Sequence, residues 1–147
     1  MCYLGIGDTY TPCHKDLCAS SGHNLMCYTE KGGSSIWFMT KSSDAIAASA
    51  YFHSLGQEID HENYVISVRE LARAPFDVYV LEQRLGDLVL VPPRSCHQVV
   101  NMGGLAIKTS WSRMTVHGLV VGYFHELPIY RRCVLFSVNL PLTDIGK

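Results

Sequence analysis

The chemistry of this chain rests on His14 and Asp16, separated only by Lys15, and on a single distant His97. Two imidazoles and one carboxylate form the donor set of a facial triad, which holds a non-haem Fe(II) on one side and leaves positions open for a cosubstrate and O2. The spacing favours a strand. Residues i and i+2 on a strand point to the same face, so His14 and Asp16 reach one metal while Lys15 points away; a helix would place them on different sides. The third ligand must then arrive from another strand across a barrel. Segment 86–101 reads as strand, turn, strand, with His97 just past the turn.

The second half of that segment resembles the second cupin motif: Gly86, five residues, Pro92, then His97 followed four residues later by Asn101. Arg94 stands where the motif often has glycine. Taken with Tyr-Thr-Pro-Cys-His-Lys-Asp-Leu at 10–17, Gly-His-Asn-Leu-Met at 22–26, Ser-Ser-Ile-Trp-Phe-Met-Thr at 34–40 and the stretch 85–111, the pattern resembles a JmjC (Jumonji C) domain of the 2-oxoglutarate-dependent oxygenases over about residues 3–113. A lone His-x-Asp is common; coupled to the Gly-Asp…Pro…His-x-x-x-Asn block it is specific. The resemblance implies Fe(II) held by His14, Asp16 and His97, with 2-oxoglutarate as cosubstrate. His23, His53, His61, His117 and His125 read as surface or hydrogen-bonded residues, and Cys13 and Cys96 as core or supporting residues rather than ligands.

2-Oxoglutarate chelates the metal through its keto acid end, while its distal carboxylate wants a cation and a hydroxyl. Thr11, three residues before His14, and Asn24, eight after Asp16, match cosubstrate-contacting positions of the family. The cation departs from the family pattern. The family's lysine lies two residues before an aromatic on the fourth barrel strand, and here that position, before Trp37, is Ser35. Two substitutes remain open. Lys31 follows Asp16 at a spacing seen in the family but falls on an expected hairpin turn; Lys108, on the strand after the 102–104 turn, is favoured, although the turn resets the strand phase and leaves its facing undetermined.

The elements that must position these groups read as mainly β. Strands are expected over 2–6, 24–29 and 35–40, the last two joined by the turn 30–33. A helix capped by Ser43 or Asp44 runs to about Leu55 and stops at Gly56; a second covers 64–73, before Pro75. Strands resume at 77–83, 88–91, 98–101, 105–111 and 134–138. Segment 114–126 reads as a packed helix closed by Pro128. Together these predict one domain, 1–147, a double-stranded β-helix (jelly roll or cupin) with a helical insertion and a C-terminal helix. Members of the family carry helices and a first barrel strand ahead of the His-x-Asp strand. With Met1 only thirteen residues before His14, the reading expects either a fragment truncated at the amino terminus or a reduced domain with an open sheet edge through which the chain pairs with a second copy.

At 147 residues, 48% apolar and with a net charge of −1, the chain can build one sizeable core. Twelve Lys and Arg against thirteen Asp and Glu, with no basic run longer than Arg131-Arg132, give no nucleic-acid face. No signal peptide or membrane span is legible, and the six cysteines contain no Cys-x-x-Cys pair. An intracellular, reduced setting is expected, nuclear if the family's chromatin role applies. The resemblance then implies oxidation of a C–H bond. The favoured substrate is a methyl-lysine in a protein or peptide such as a histone tail, demethylated through N-methyl hydroxylation. The alternatives are hydroxylation of another protein side chain and a JmjC-like interaction module without catalysis.

Overall fold

Alternation of inward and outward side chains decides how the strands assemble. A computed structural model describes residues 1–131, so the strand expected over 134–138 lies outside the described residues. The chain forms β1 (Cys2–Gly5), β2 (Tyr10–Lys15), β3 (Ser21–Thr29), β4 (Ser34–Met39), β5 (Tyr79–Gln83), β6 (Leu88–Val91), β7 (Cys96–Met102) and β8 (Ala106–Arg113). They make two antiparallel four-stranded sheets, ordered β1-β8-β3-β6 and β2-β7-β4-β5. Their facing surfaces are the jelly roll's interior, as expected from the sequence.

Between the sheets lie Trp37, Met39, Val89, Val91 and Val99, an apolar floor beneath the cavity. A second core lies behind the β2/β7 sheet. There Cys13 and Cys96, whose side chains point away from the interior, pack with Ala48 and Phe52 of α1 (Ala45–Ser54), with Ile59 and with Ile66. The helical insertion thus braces the back of the two strands that carry the histidines. The β3–β4 turn is tight because Lys31 (φ 52°) and Gly32 (φ 71°) are both left-handed, closed by the Gly33 N–H donating to the Glu30 carbonyl at 3.1 Å.

Two expectations are corrected. The helix expected over 64–73 shrinks to one turn, α2 (Val68–Leu71), started by a capping box between Ser67 and Glu70. Its first part is drawn out along the sheet edge: the Cys13 N–H donates to the Tyr64 carbonyl, and the Gln98 amide bonds both the N–H and the carbonyl of Ile66. Secondly, segment 114–126 is not packed all round, and Pro128 does not close it. After α3 (Val116–Val121) the backbone widens into a π-helical turn at Gly122–Glu126 and stays helical through 127–131. Proline clashes with the carbonyl four residues back, and the wide turn just before Pro128 relieves that clash. The strand expected over 2–6 is present as β1, ahead of the His-x-Asp strand. β1 lies along β8, with Tyr3 opposite Lys108, and lends a wall and a tyrosine to the interior.

Candidate metal centre and adjoining cavity

His14 and His97 meet because β2 carries one extra residue. Thr11 lies opposite Val99 and His14 opposite His97, so β2 advances three residues while β7 advances two. Without that bulge His14 would oppose Cys96, and the imidazoles would lie on different faces of the sheet. The extra residue falls at Pro12–Cys13, where proline's missing N–H disturbs no ladder. The two rings now have centroids 4.2 Å apart, and Trp37 stacks on His97 at 5.9 Å. Asp16 follows β2 in extended conformation and swings its carboxylate alongside.

One ligand atom from each of His14, Asp16 and His97 lies within 4.8 Å of the others. Both histidines direct Nδ1 at a backbone carbonyl, His14 at Pro12 (2.9 Å) and His97 at Ser95 (3.0 Å). A carbonyl only accepts, so each Nδ1 carries the proton and each Nε2 presents a lone pair. This is the arrangement by which supporting hydrogen bonds fix a metal-binding imidazole. Burial, with His14 adding to it, pushes His97 down to about 4, so it is neutral and available as a ligand at ordinary pH. Burial also raises Asp16 above the usual carboxylate range, which His14 only partly offsets. Among the described residues Asp16 Oδ2 is buried without a hydrogen-bond partner, an arrangement that disfavours the carboxylate unless a cation sits beside it. Gly22 makes room for this oxygen, since a Cβ there would run into Asp16 Oδ2. Donor set, tautomers and orphaned oxygen all fit a divalent metal.

Lys108 faces into the same interior. It is 5% exposed, and its Nζ donates to Ser35 Oγ and Asn101 Oδ1, each at 2.9 Å. Among the described residues it makes no ion pair, and burial lowers it to about 8. The ammonium thus lies against the hydroxyl of Ser35, the residue at which the resemblance led one to expect a lysine, and reaches it from the opposite sheet. Lys31, by contrast, is exposed on the β3–β4 turn. A cavity of about 60 Å³ is lined by the three ligand residues, Thr11, Asn24, Trp37 and Lys108. A second, of about 340 Å³, opens between β1 and β2 and shares Tyr3, Thr11 and Lys108 with the first. Asn24 is held by Gln83, whose Nε2 donates to its backbone carbonyl (2.8 Å) and its Oδ1 (3.2 Å), while Gln83 Oε1 accepts from the Trp37 indole.

Residues 1–112 match the family described as JmjC domain, hydroxylase. The chain belongs to the JmjC family. Over 131 residues, 88% of its length, it is 37% identical to C-module-binding factor A of Dictyostelium discoideum, and it spans 13% of that relative.

All six expected site residues of this JmjC domain line one continuous interior. Of the histidines left outside the ligand set, His53 bonds Glu58 at 2.6 Å as an ordinary surface residue, whereas His23 departs from the surface or hydrogen-bonded role expected of it: it stacks on Trp111, lines the cavity of the three ligands, and its buried Nδ1 has no partner among the described residues. Cys13 and Cys96 are core residues whose thiols burial pushes up, Cys96 to about 12. The sequence reading missed Tyr3, Gln83 and the partners of Lys15. Only alternation along β1 and β5 could have pointed inward to the first two. No local signal marks the third.

Proposed function

We propose that this JmjC domain is an Fe(II)- and 2-oxoglutarate-dependent oxygenase that hydroxylates the N-methyl group of a methyl-lysine in a protein, a nuclear histone tail being the favoured partner. The observation that carries the cosubstrate half is Lys108, a buried ammonium with only neutral partners among the described residues, in the cavity that also holds the His14, Asp16 and His97 donors. A buried cation without a counter-ion is costly unless an anion arrives. His14, Asp16 and His97 would hold Fe(II), which with 2-oxoglutarate supplies O2-dependent oxidation of a C–H bond, giving succinate and CO2.

The chain's own groups provide binding and aim. Lys108 takes the distal carboxylate, and Thr11 offers a hydroxyl beside it. The Asn24 carboxamide keeps its Nδ2 donor for the cosubstrate, since its oxygen is engaged by Gln83. Trp37, Val91 and Val99 wall off water, and the opening between β1 and β2 admits a side chain from outside. A hydroxylated N-methyl group is a hemiaminal, which releases formaldehyde and leaves the amine with one methyl fewer.

The test is succinate and formaldehyde release from methylated lysine peptides, with and without Fe(II). Iron-dependent release of both, in equal amounts, supports demethylation. Succinate with a retained oxygen and no formaldehyde would move the reading to hydroxylation of another side chain. Neither product, in a protein that binds Mn(II) and 2-oxoglutarate, would favour a binding module, the reading that the relative's name as a binding factor suggests.

A further inference from the structure

We propose that the C-terminal helical segment 116–131 is a clamp that sets the position of Asp16, with Glu126 and Arg94 acting as positioning residues for the metal centre. The inference rests on the reading of His14, Asp16 and His97 as a metal site. It begins at Lys15, which lies between two ligands and points to the opposite side of the strand. There its Nζ is 3.0 Å from Glu126 Oε2 and 3.1 Å from Asp60 Oδ1, with all three side chains buried. Glu126 is fully buried, and its other oxygen accepts from Arg94 Nε at 2.7 Å. Arg94 has a φ of +64°, a conformation that favours glycine, which is the residue the cupin motif often has there. A left-handed arginine needs a reason, and the ion pair to Glu126 supplies one.

The helix also grips the chain on the other side of Asp16. Leu17–Ala19 forms a 3₁₀ turn in which Cys18 (φ 56°) and Ala19 (φ 52°) are left-handed. Gly118 and Gly122 lie against that turn so closely that a Cβ at each would stand 3.0 Å from the Ala19 carbonyl oxygen and 2.8 Å from that of Cys18. Two helical turns further, the Cys18 N–H donates to the Tyr130 hydroxyl at 3.0 Å. Residue 15 and residues 17–19 are therefore held by one element, and Asp16 between them has, among the described residues, no hydrogen bond of its own at Oδ2. Its aim is borrowed from its neighbours. Leu119, Val120, Tyr123 and Phe124 of the helix are exposed and Val121, Leu127 and Ile129 only partly buried, so two glycines, the Glu126 carboxylate and the Tyr130 hydroxyl make its closest grip.

The experiment compares Glu126→Gln, Gly122→Val and Arg94→Gly with Leu119→Ala, a control on the exposed side of the same helix. Two measurements are made on the full chain: hydrogen–deuterium exchange of peptides covering 13–19 in metal-free protein, and the Mn(II) dissociation constant. Loosening the clamp is expected to speed exchange in 13–19 at least tenfold and to raise the Mn(II) constant 10- to 100-fold, the range for groups that orient ligands. Leu119→Ala should leave both unchanged. Arg94→Gly guards against simple unfolding, because glycine relaxes the left-handed backbone while removing the ion pair. Folded variants with unchanged exchange, or with a Mn(II) constant within twofold of wild type, would overturn the proposal. Should the wild type bind no Mn(II), the metal reading falls, and the exchange measurement still decides whether the helix holds the Asp16 segment.

Discussion

Replacing Lys108 with methionine separates stability from function. The methionine keeps an unbranched apolar stem of similar length in the interior but removes the ammonium. Burial holds Lys108 at about 8 instead of 10.5, so its protonated form is disfavoured in the folded protein at neutral pH by on the order of 3 kcal/mol. Methionine removes that cost. It leaves no stranded polar pair, because the Ser35 hydroxyl already donates to Asn101 Oδ1 at 2.8 Å. Chemical denaturation at pH 7 should therefore find Lys108→Met about 1–3 kcal/mol more stable than wild type. The sign follows from the lowered value. Between pH 8 and 10.5 the unfolded lysine binds a proton that the folded one does not, so wild-type stability rises with pH across that window and the variant lacks the rise. The cosubstrate should respond in the opposite sense. A buried carboxylate left without its cation loses about 3–5 kcal/mol, so anaerobic calorimetry with Mn(II) should show 2-oxoglutarate binding weakened 100-fold or more. Wild-type affinity should itself fall above pH 8 as Lys108 discharges, and Lys31→Ala should change nothing. Unchanged 2-oxoglutarate affinity in Lys108→Met, or its loss in Lys31→Ala, would refute the assignment.

Further outcomes follow from the metal centre. Anaerobic titration should give one Fe(II) or Mn(II) per chain, and His97→Ala should weaken binding at least 100-fold; equal binding by wild type and a triple alanine variant of His14, Asp16 and His97 would remove the site. Gly22→Ala should leave the fold cooperative by circular dichroism yet weaken Mn(II) binding about 10- to 100-fold, because the new methyl displaces the Asp16 carboxylate. In metal-free protein, folded His97 takes its proton near pH 4 and unfolded His97 near 6.5, so stability should be lost as pH falls through that interval. Denaturation curves of His97→Gln should show a smaller loss over the same range.

The sequence by itself determined the parts that depend on local rules. Period-two alternation puts His14 and Asp16 on one face, the motif around His97 marks the third ligand, and the glycines at 32 and 33 make the β3–β4 turn, which exposes Lys31. α1 and its stop at Gly56, in left-handed conformation with φ 73°, were legible for the same reason. What tertiary structure alone decided is cross-strand register and everything that follows from it. Alternation along β2 cannot reveal the extra residue at Pro12–Cys13, because the bulge is defined against β7, more than eighty residues away. Without it the two imidazoles would face opposite ways. Likewise the turn before β8 erases strand phase, so only the pairing of Lys108 with Tyr3 and Met26 turns its ammonium inward onto Ser35. The alternation of β2 says only that Lys15 points away from the two ligands, and its buried partners Asp60 and Glu126 come from elements 45 and 111 residues on. Expected helices yielded where backbone groups found better partners at a distance: residues 64–66 went to the edge of β2 and to Gln98. Local periodicity says which side chains share a face, but pairing between distant strands fixes which faces meet, and that pairing is where the site is assembled.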